Sequence, residues 1–165
     1  MITLGIPLEG VAVNELLVEW RWLVSTSFQA KYLTAFGDWI FSLAAGEIYF
    51  LDLLEGSLTL VAPSDTCFEK SLESVENRNR WFMTDWLKIC HSRGLALGKG
   101  ECFGWTVHPI LGGKFDVDNI QVFDLTVYQC MLGQIFRQLK NKPVDFVISG
   151  LVSTPLIRPG VELPL

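Results

Sequence analysis

Three runs of aromatic and β-branched residues, Trp39-Ile40-Phe41, Ile48-Tyr49-Phe50-Leu51 and Leu58-Thr59-Leu60-Val61, follow one another within a short stretch of chain. Residues of this kind fit a pleated surface, and runs of three or four have strand length. Ala45-Gly46 and Glu55-Gly56 stand between them, where hairpin turns would fall. The stretch therefore predicts a three-stranded antiparallel meander. Its runs are apolar almost without interruption, so both faces of that sheet need cover.

The flanking segments supply candidates for the cover. Leu16, Leu17, Trp20 and Leu23 fall at helical spacing within Val13 to Val24, with Asn14 as a candidate N-cap, which predicts a short helix in an N-terminal leader over residues 1–35. Pro63-Ser64-Asp65 is a helix start, with Ser64 as N-cap and Phe68, Leu72 and Val75 on one face. A second helix is predicted from Asn77 through Phe82, Trp86, Ile89 and Cys90, ending at Gly94 as C-cap. Cys102 to Val107 and Ile120 to Phe123 read as strands. From Leu125 to Lys140, Val127, Met131, Ile135 and Leu139 recur every fourth residue and predict a long amphipathic helix. Beyond it come an apolar run, Phe146-Val147-Ile148, and a tail with Pro155, Pro159 and Pro164 that is predicted to be extended or loose. The fold class is α+β: an antiparallel sheet, made of the meander plus later strands, packed against several amphipathic helices, in one domain over residues 36–165.

Hydrophobic residues make up 50% of the 165-residue chain and charged residues 19%, which excludes disorder and predicts a filled core or an apolar surface kept for a partner. No apolar run reaches the roughly 18 residues needed to span a bilayer. The first ten residues lack a basic region followed by an apolar one, so no export signal is expected. The four cysteines are scattered, without a CxxC pair, and are expected to be reduced, buried thiols in a cytoplasmic protein. A net charge of −5 argues against direct nucleic-acid binding, which rests on neutralising phosphates with Lys and Arg. It suits a basic partner. A homo-oligomer is compatible with the sequence.

Candidate chemistry is sparse. Cys90 and His91 are neighbours on a predicted helix, so their side chains diverge by about 100° and do not share a metal centre easily. His108 and Cys102 lie close along the chain, but no HExxH or CxxC supports a zinc site, and neither a metal nor a cofactor is implied. Nothing resembles GxSxG, and the glycines around Lys99 and Lys114 lack phosphate-loop spacing. Carboxylates at Asp52, Glu55, Asp116, Asp118 and Asp124 offer two readings. They serve turns and caps, as Asp does in loops, or a pair of them near Asp52 and Asp116 acts in a small-ligand protein or hydrolase. Trp81, beside Phe82 on its helix, and Trp105 are the aromatic candidates for a protein interface, where Trp is enriched.

Phe36-Gly37-Asp38-Trp39, Phe50-Leu51-Asp52 with Leu54-Glu55-Gly56, Leu111-Gly112-Gly113 with Asp118-Asn119-Ile120, and Leu132-Gly133-Gln134-Ile135 occur in an order and spacing that resemble a known family. It is the C-terminal domain family of bacterial type VI secretion immunity proteins, first catalogued as a domain of unknown function, and the resemblance covers roughly Phe36 to Lys140. In longer immunity proteins this domain follows another, related to an insert of certain aminoacyl-tRNA synthetases and amidotransferases. The 35 residues ahead of Phe36 are too few for such a domain. The resemblance implies a non-catalytic protein that binds a cognate toxin, often a nuclease, in the cytoplasm and blocks it. It implies no catalytic residue. The partner-binding candidates are then Asp52, Glu55, Trp81, Trp105, Asp116 and Asp118, an acidic, aromatic-bearing face set against a basic toxin.

Overall fold

The computed structural model describes residues 4–142. The run at Phe146 and the proline-bearing tail lie outside the described residues. Five strands form one antiparallel sheet in chain order: β1 (Gly5–Ile6), β2 (Gln29–Thr34), β3 (Trp39–Ser42), β4 (Ile48–Asp52) and β5 (Ser57–Ala62). The predicted meander is β3 to β5, with Trp39 opposite Leu51 and Phe50 opposite Thr59. A second antiparallel pair joins β6 (Glu101–Trp105) to β7 (Ile120–Asp124). The helices are α1 (Val13–Leu16), α2 (Asp65–Ser71), α3 (Val75–Phe82), α4 (Thr84–Ser92) and α5 (Leu125–Leu139).

Strand alternation sends the continuous apolar runs to two different cores. Trp39, Phe41 and Leu51 pack with Leu16, Leu17, Trp20 and Val24 from the N-terminal segment and with Tyr128, Leu132 and Phe136 of α5. The intervening Ile40, Ile48 and Phe50 pack with Phe68, Trp81 and Phe82 of α2 and α3 on the other face. A third cluster sets Leu87 and Cys90 of α4 against Phe103, Trp105 and Ile120 of the small sheet. The two-sided cover that the meander required is present.

The predicted boundary between a leader and a domain at residue 36 falls in the β2–β3 turn. β1 and β2 belong to the same sheet as the meander, and the leader's helical turns fill the same core. The N-terminal segment is thus an integral layer, held by side chains that reach α5. Trp20 Nε1 donates to the Gln129 carbonyl at 3.0 Å, and Trp22 Nε1 donates to that of Gly133 at 3.3 Å. Gly133 permits this approach: a β-carbon there would lie 2.7 Å from Glu19 Cβ and 2.9 Å from its carbonyl. Gly133→Ala is therefore expected to lower stability by about 1–3 kcal/mol through overpacking, although alanine is the better helix former. A urea-unfolding midpoint at or above that of the parent would refute the tight packing.

Two helix readings are corrected. The helix expected from Asn77 to Gly94 is broken at Met83, a non-glycine residue in left-handed conformation with φ 51°. No Gly or Pro announces the break. Its capping comes from upstream, where Asn79 Oδ1 accepts from the Asp85 amide at 3.0 Å. Gly94 does end α4: its amide donates to the His91 carbonyl and that of Leu95 to the Cys90 carbonyl, closing a Schellman motif. In α5 the four-residue stripe lies beside the core-facing side rather than on it, and of its members Ile135 packs half-buried against the core. Leu125, Tyr128, Gln129, Leu132 and Phe136 are buried, while Val127 is 59% exposed and Met131 37%. The inward face mixes Leu125 and Leu132 with Tyr128, Phe136 and a polar residue, so a purely aliphatic stripe does not mark its centre.

Candidate functional site

The Schellman turn at Gly94 throws the chain off α4 into a loop, Ala96 to Gly100, that returns to β6. Two backbone bonds fix where it lands: the Leu125 amide donates to Gly100 at 2.9 Å, and the Phe103 amide to Ala35 at 2.8 Å. The loop thereby stands across from β1 and the start of α1, and a groove of about 890 Å³ opens between them. Its floor is apolar and well packed: Leu16, Ala35, Leu87, Phe103 and Leu125 are all buried. His91 lies on its α4 side, edge-on to Phe103 with ring centroids 6.2 Å apart.

The rim is acidic. Glu9, Glu15, Glu101 and Asp124 line it against a single ammonium, Lys99. Two of these carboxylates are occupied: Glu101 accepts from the Gly98 amide at 2.6 Å, and Asp124 caps α5 by accepting from Val127 at 3.0 Å. Glu9 and Glu15 are exposed and have no hydrogen-bond or ion-pair partner among the described residues. The groove thus offers an apolar floor and uncommitted negative charge at its mouth. A site of this size and lining buries an apolar group while polar atoms at its edge set orientation.

None of the carboxylates read from the sequence as partner-binding candidates lines this groove. Asp52 is buried at the β4–β5 turn, where one oxygen accepts from the Leu54 and Glu55 amides at 2.8 and 3.3 Å. Glu55 is exposed at the tip of that turn. Asp116 begins a 3₁₀ turn and accepts from the Asp118 amide at 2.9 Å. Asp118 is exposed and faces Arg93 at 3.8 Å. Asp52 and Asp116 are each committed to a local turn, on different segments. The reading of these side chains as turn and cap residues accounts for their geometry.

The two tryptophans offered as interface residues are in the core. Trp81 is 6% exposed and stacks at a tilt on Phe68, centroids 5.0 Å apart. Its neighbour Phe82 is buried too, edge-on to Tyr32, because Trp81 packs towards Phe68 of α2 while Phe82 packs on the sheet, so α3 buries more than one narrow face. Trp105 is 3% exposed, clasped edge-on by Trp86 and Phe115. Their expected exposure is corrected. Cys90 and Cys102 are buried, and burial pushes both thiols well above the ordinary range, to about 11 for Cys90. Cys67, by contrast, is exposed. Among the described residues no group of three or more His, Cys, Asp and Glu side chains is placed to hold a metal, and no helix is long and apolar enough to cross a membrane.

The signature blocks have structural employment. Asp38 accepts from the Leu53 amide at 2.8 Å and ties the β2–β3 turn to the β4–β5 turn. Asn119 accepts from the Val107 amide at 2.9 Å and donates to the carbonyls of Val107 and Lys114, pinning the loop between β6 and β7. Gly113 lies so close to the Val107 carbonyl that no β-carbon fits. The groove residues were missed because they come from five separated stretches of the chain, none of which carries a motif of its own. The only hint was a charge beside glycine at Glu9-Gly10 and around Lys99.

Residues 65–136, from the start of α2 to near the end of α5, match the model of the family described as T6SS immunity protein Tdi1, C-terminal. This is the family that the signature blocks resemble. The match begins after the meander, so the blocks before Asp65 lie outside it, while the loop, β6 and α5 walls of the groove lie inside it. No curated protein matches the chain.

Proposed function

We propose that this chain, whose central part matches an immunity domain of the type VI secretion system, binds a cognate toxin protein and neutralises it without turning over a substrate. The observation that carries the reading is the family match over residues 65–136, which spans three helices, the small sheet and most of α5. Charge supports the choice of partner. A toxin that acts on nucleic acid needs a cationic surface, and a protein of net charge −5 is attracted to it and repelled by the nucleic acid itself. The toxin class is then a nuclease, met in the cytoplasm. The hydrolase reading based on Asp52 and Asp116 gains no support, because both carboxylates are spent on backbone amides of separate turns.

Glu55 and Asp118 suit a steering role. Both are exposed, and rim charges act mainly on the rate of encounter. Co-expression with its cognate toxin is expected to restore growth of cells that the toxin alone kills. Reversing Glu55 and Asp118 to lysine together is expected to slow association roughly tenfold at low salt, with the difference shrinking as salt rises. Failure of the unaltered chain to protect, with the protein present and folded, removes the reading.

A further inference from the structure

We infer that the groove between β1, the start of α1 and the Ala96–Gly100 loop receives an extended basic segment of the partner, with one large apolar side chain seated on Leu16 and Phe103. This rests on the toxin-binding reading and deepens it. Three observations converge on that occupant.

The first is the floor. Leu16, Leu87, Phe103 and Leu125 present an apolar bed at the bottom of a cavity of about 890 Å³, enough room for a leucine or aromatic side chain with neighbouring backbone. The second is charge. The rim holds four carboxylates to one ammonium, and Glu9 and Glu15 have no partner among the described residues, so arginine or lysine beside the apolar anchor completes them. An acidic or neutral segment would leave those carboxylates desolvated without compensation. The third is the wall. β1 is the terminal strand of the five-stranded sheet, and among the described residues only β2 pairs with it. A strand edge accepts main-chain bonds from an extended chain, which a compact small ligand does not use. The chain's own residues 143–165 suit the site poorly, since they carry Asp145 and Glu162 against Arg158.

The test titrates the full chain with a synthetic hexapeptide in which arginine and lysine flank leucine and phenylalanine, followed by amide chemical shifts. An analogue with glutamates at the basic positions and free arginine amide are run alongside. The basic peptide is expected to saturate shifts clustered at Leu16, Phe103 and Leu125. Glu9→Lys with Glu15→Lys is expected to weaken it at least tenfold, and Ala96→Trp, which fills the groove from an exposed position, to abolish it. All three positions are exposed, and unchanged amide spectra away from the groove verify folding. Equal binding of the acidic analogue, binding of arginine amide as tight as the peptide, shifts centred elsewhere, or no binding overturns the inference. The growth assay separates the two levels. A chain that never protects sinks toxin neutralisation, whereas full protection by Ala96→Trp keeps neutralisation and sinks the groove as its contact.

Discussion

Gln129→Ala is expected to lower the unfolding free energy by about 4 kcal/mol, near the top of the range for a single truncation. Gln129 is fully buried in α5, and both ends of its amide are used. Its Nε2 donates to the Gly37 carbonyl at 2.6 Å, and its Oε1 accepts from Trp39 Nε1 at 3.2 Å. The truncation opens a cavity and orphans a buried carbonyl and a buried indole N–H, each costing about 1–3 kcal/mol. Urea unfolding measures the loss. Gln129→Met keeps most of the volume and is expected to recover roughly half of it. Trp39→Phe removes one orphan in advance, so Gln129→Ala in that background should cost less than it does alone. Strict additivity of the two changes would mean that the bond between them contributes nothing.

The same residue links stability to the groove. Gln129 lies one helical turn beyond Leu125, and its backbone carbonyl holds Trp20, one turn beyond Leu16. Leu16 and Leu125 are two of the floor residues. A looser Gln129 junction should therefore blunt the groove before the chain unfolds globally, because preorganised floors lose less on binding.

What was legible in the sequence follows from this layout. The strands of the meander were readable because local β-preference, turn glycines and a two-sided core all agree there. The break at Met83 was not, because its cap is a side chain from the preceding helix. The facing of α5 was misjudged because its core side carries Gln129 and Tyr128, whose burial depends on partners 23 or more residues away in the chain, such as the Trp105 amide that donates to the Tyr128 hydroxyl. The family resemblance ran through ordered blocks that include Asp38 and Asn119, which bind backbone groups of distant turns, and Gly113 and Gly133, which let segments pack closely. Such positions identify a fold readily and a binding site poorly. The rim of the groove takes its carboxylates from a loop, from α1 and from the ends of β6 and β7, and their common property is where the fold leaves them.

His108 supplies a second large effect, through acid. It is 3% exposed, with Nε2 3.0 Å from the Leu53 carbonyl and Nδ1 accepting from the Ile110 amide at 3.2 Å. The neutral ring with its proton on Nε2 satisfies both contacts, whereas a proton on Nδ1 would point at an N–H. Burial lowers the pKa to about 4, partly opposed by the Leu53 carbonyl and by the nearby Asp52. In the unfolded chain the ring titrates at its ordinary value of about 6.5. Above that pH both states are neutral and the stabilisation is complete. As pH falls from about 6.5 towards 4 only the unfolded state takes the proton, so stability declines by up to about 3 kcal/mol, and below 4 the native ring protonates and the slope ends. The carboxylates add their own acid dependence, which is why the difference between His108→Gln and the parent is the quantity to measure. Unfolding free energies of the two should converge or cross as pH drops from 7 to 4.5, while parallel curves would mean that His108 titrates alike folded and unfolded. His108 also begins the turn at Pro109, and Leu53, whose carbonyl it holds, donates its amide to Asp38. Protonation therefore strikes the junction where the meander's last turn meets the loop pinned by Asn119, and amide exchange in both segments should quicken together.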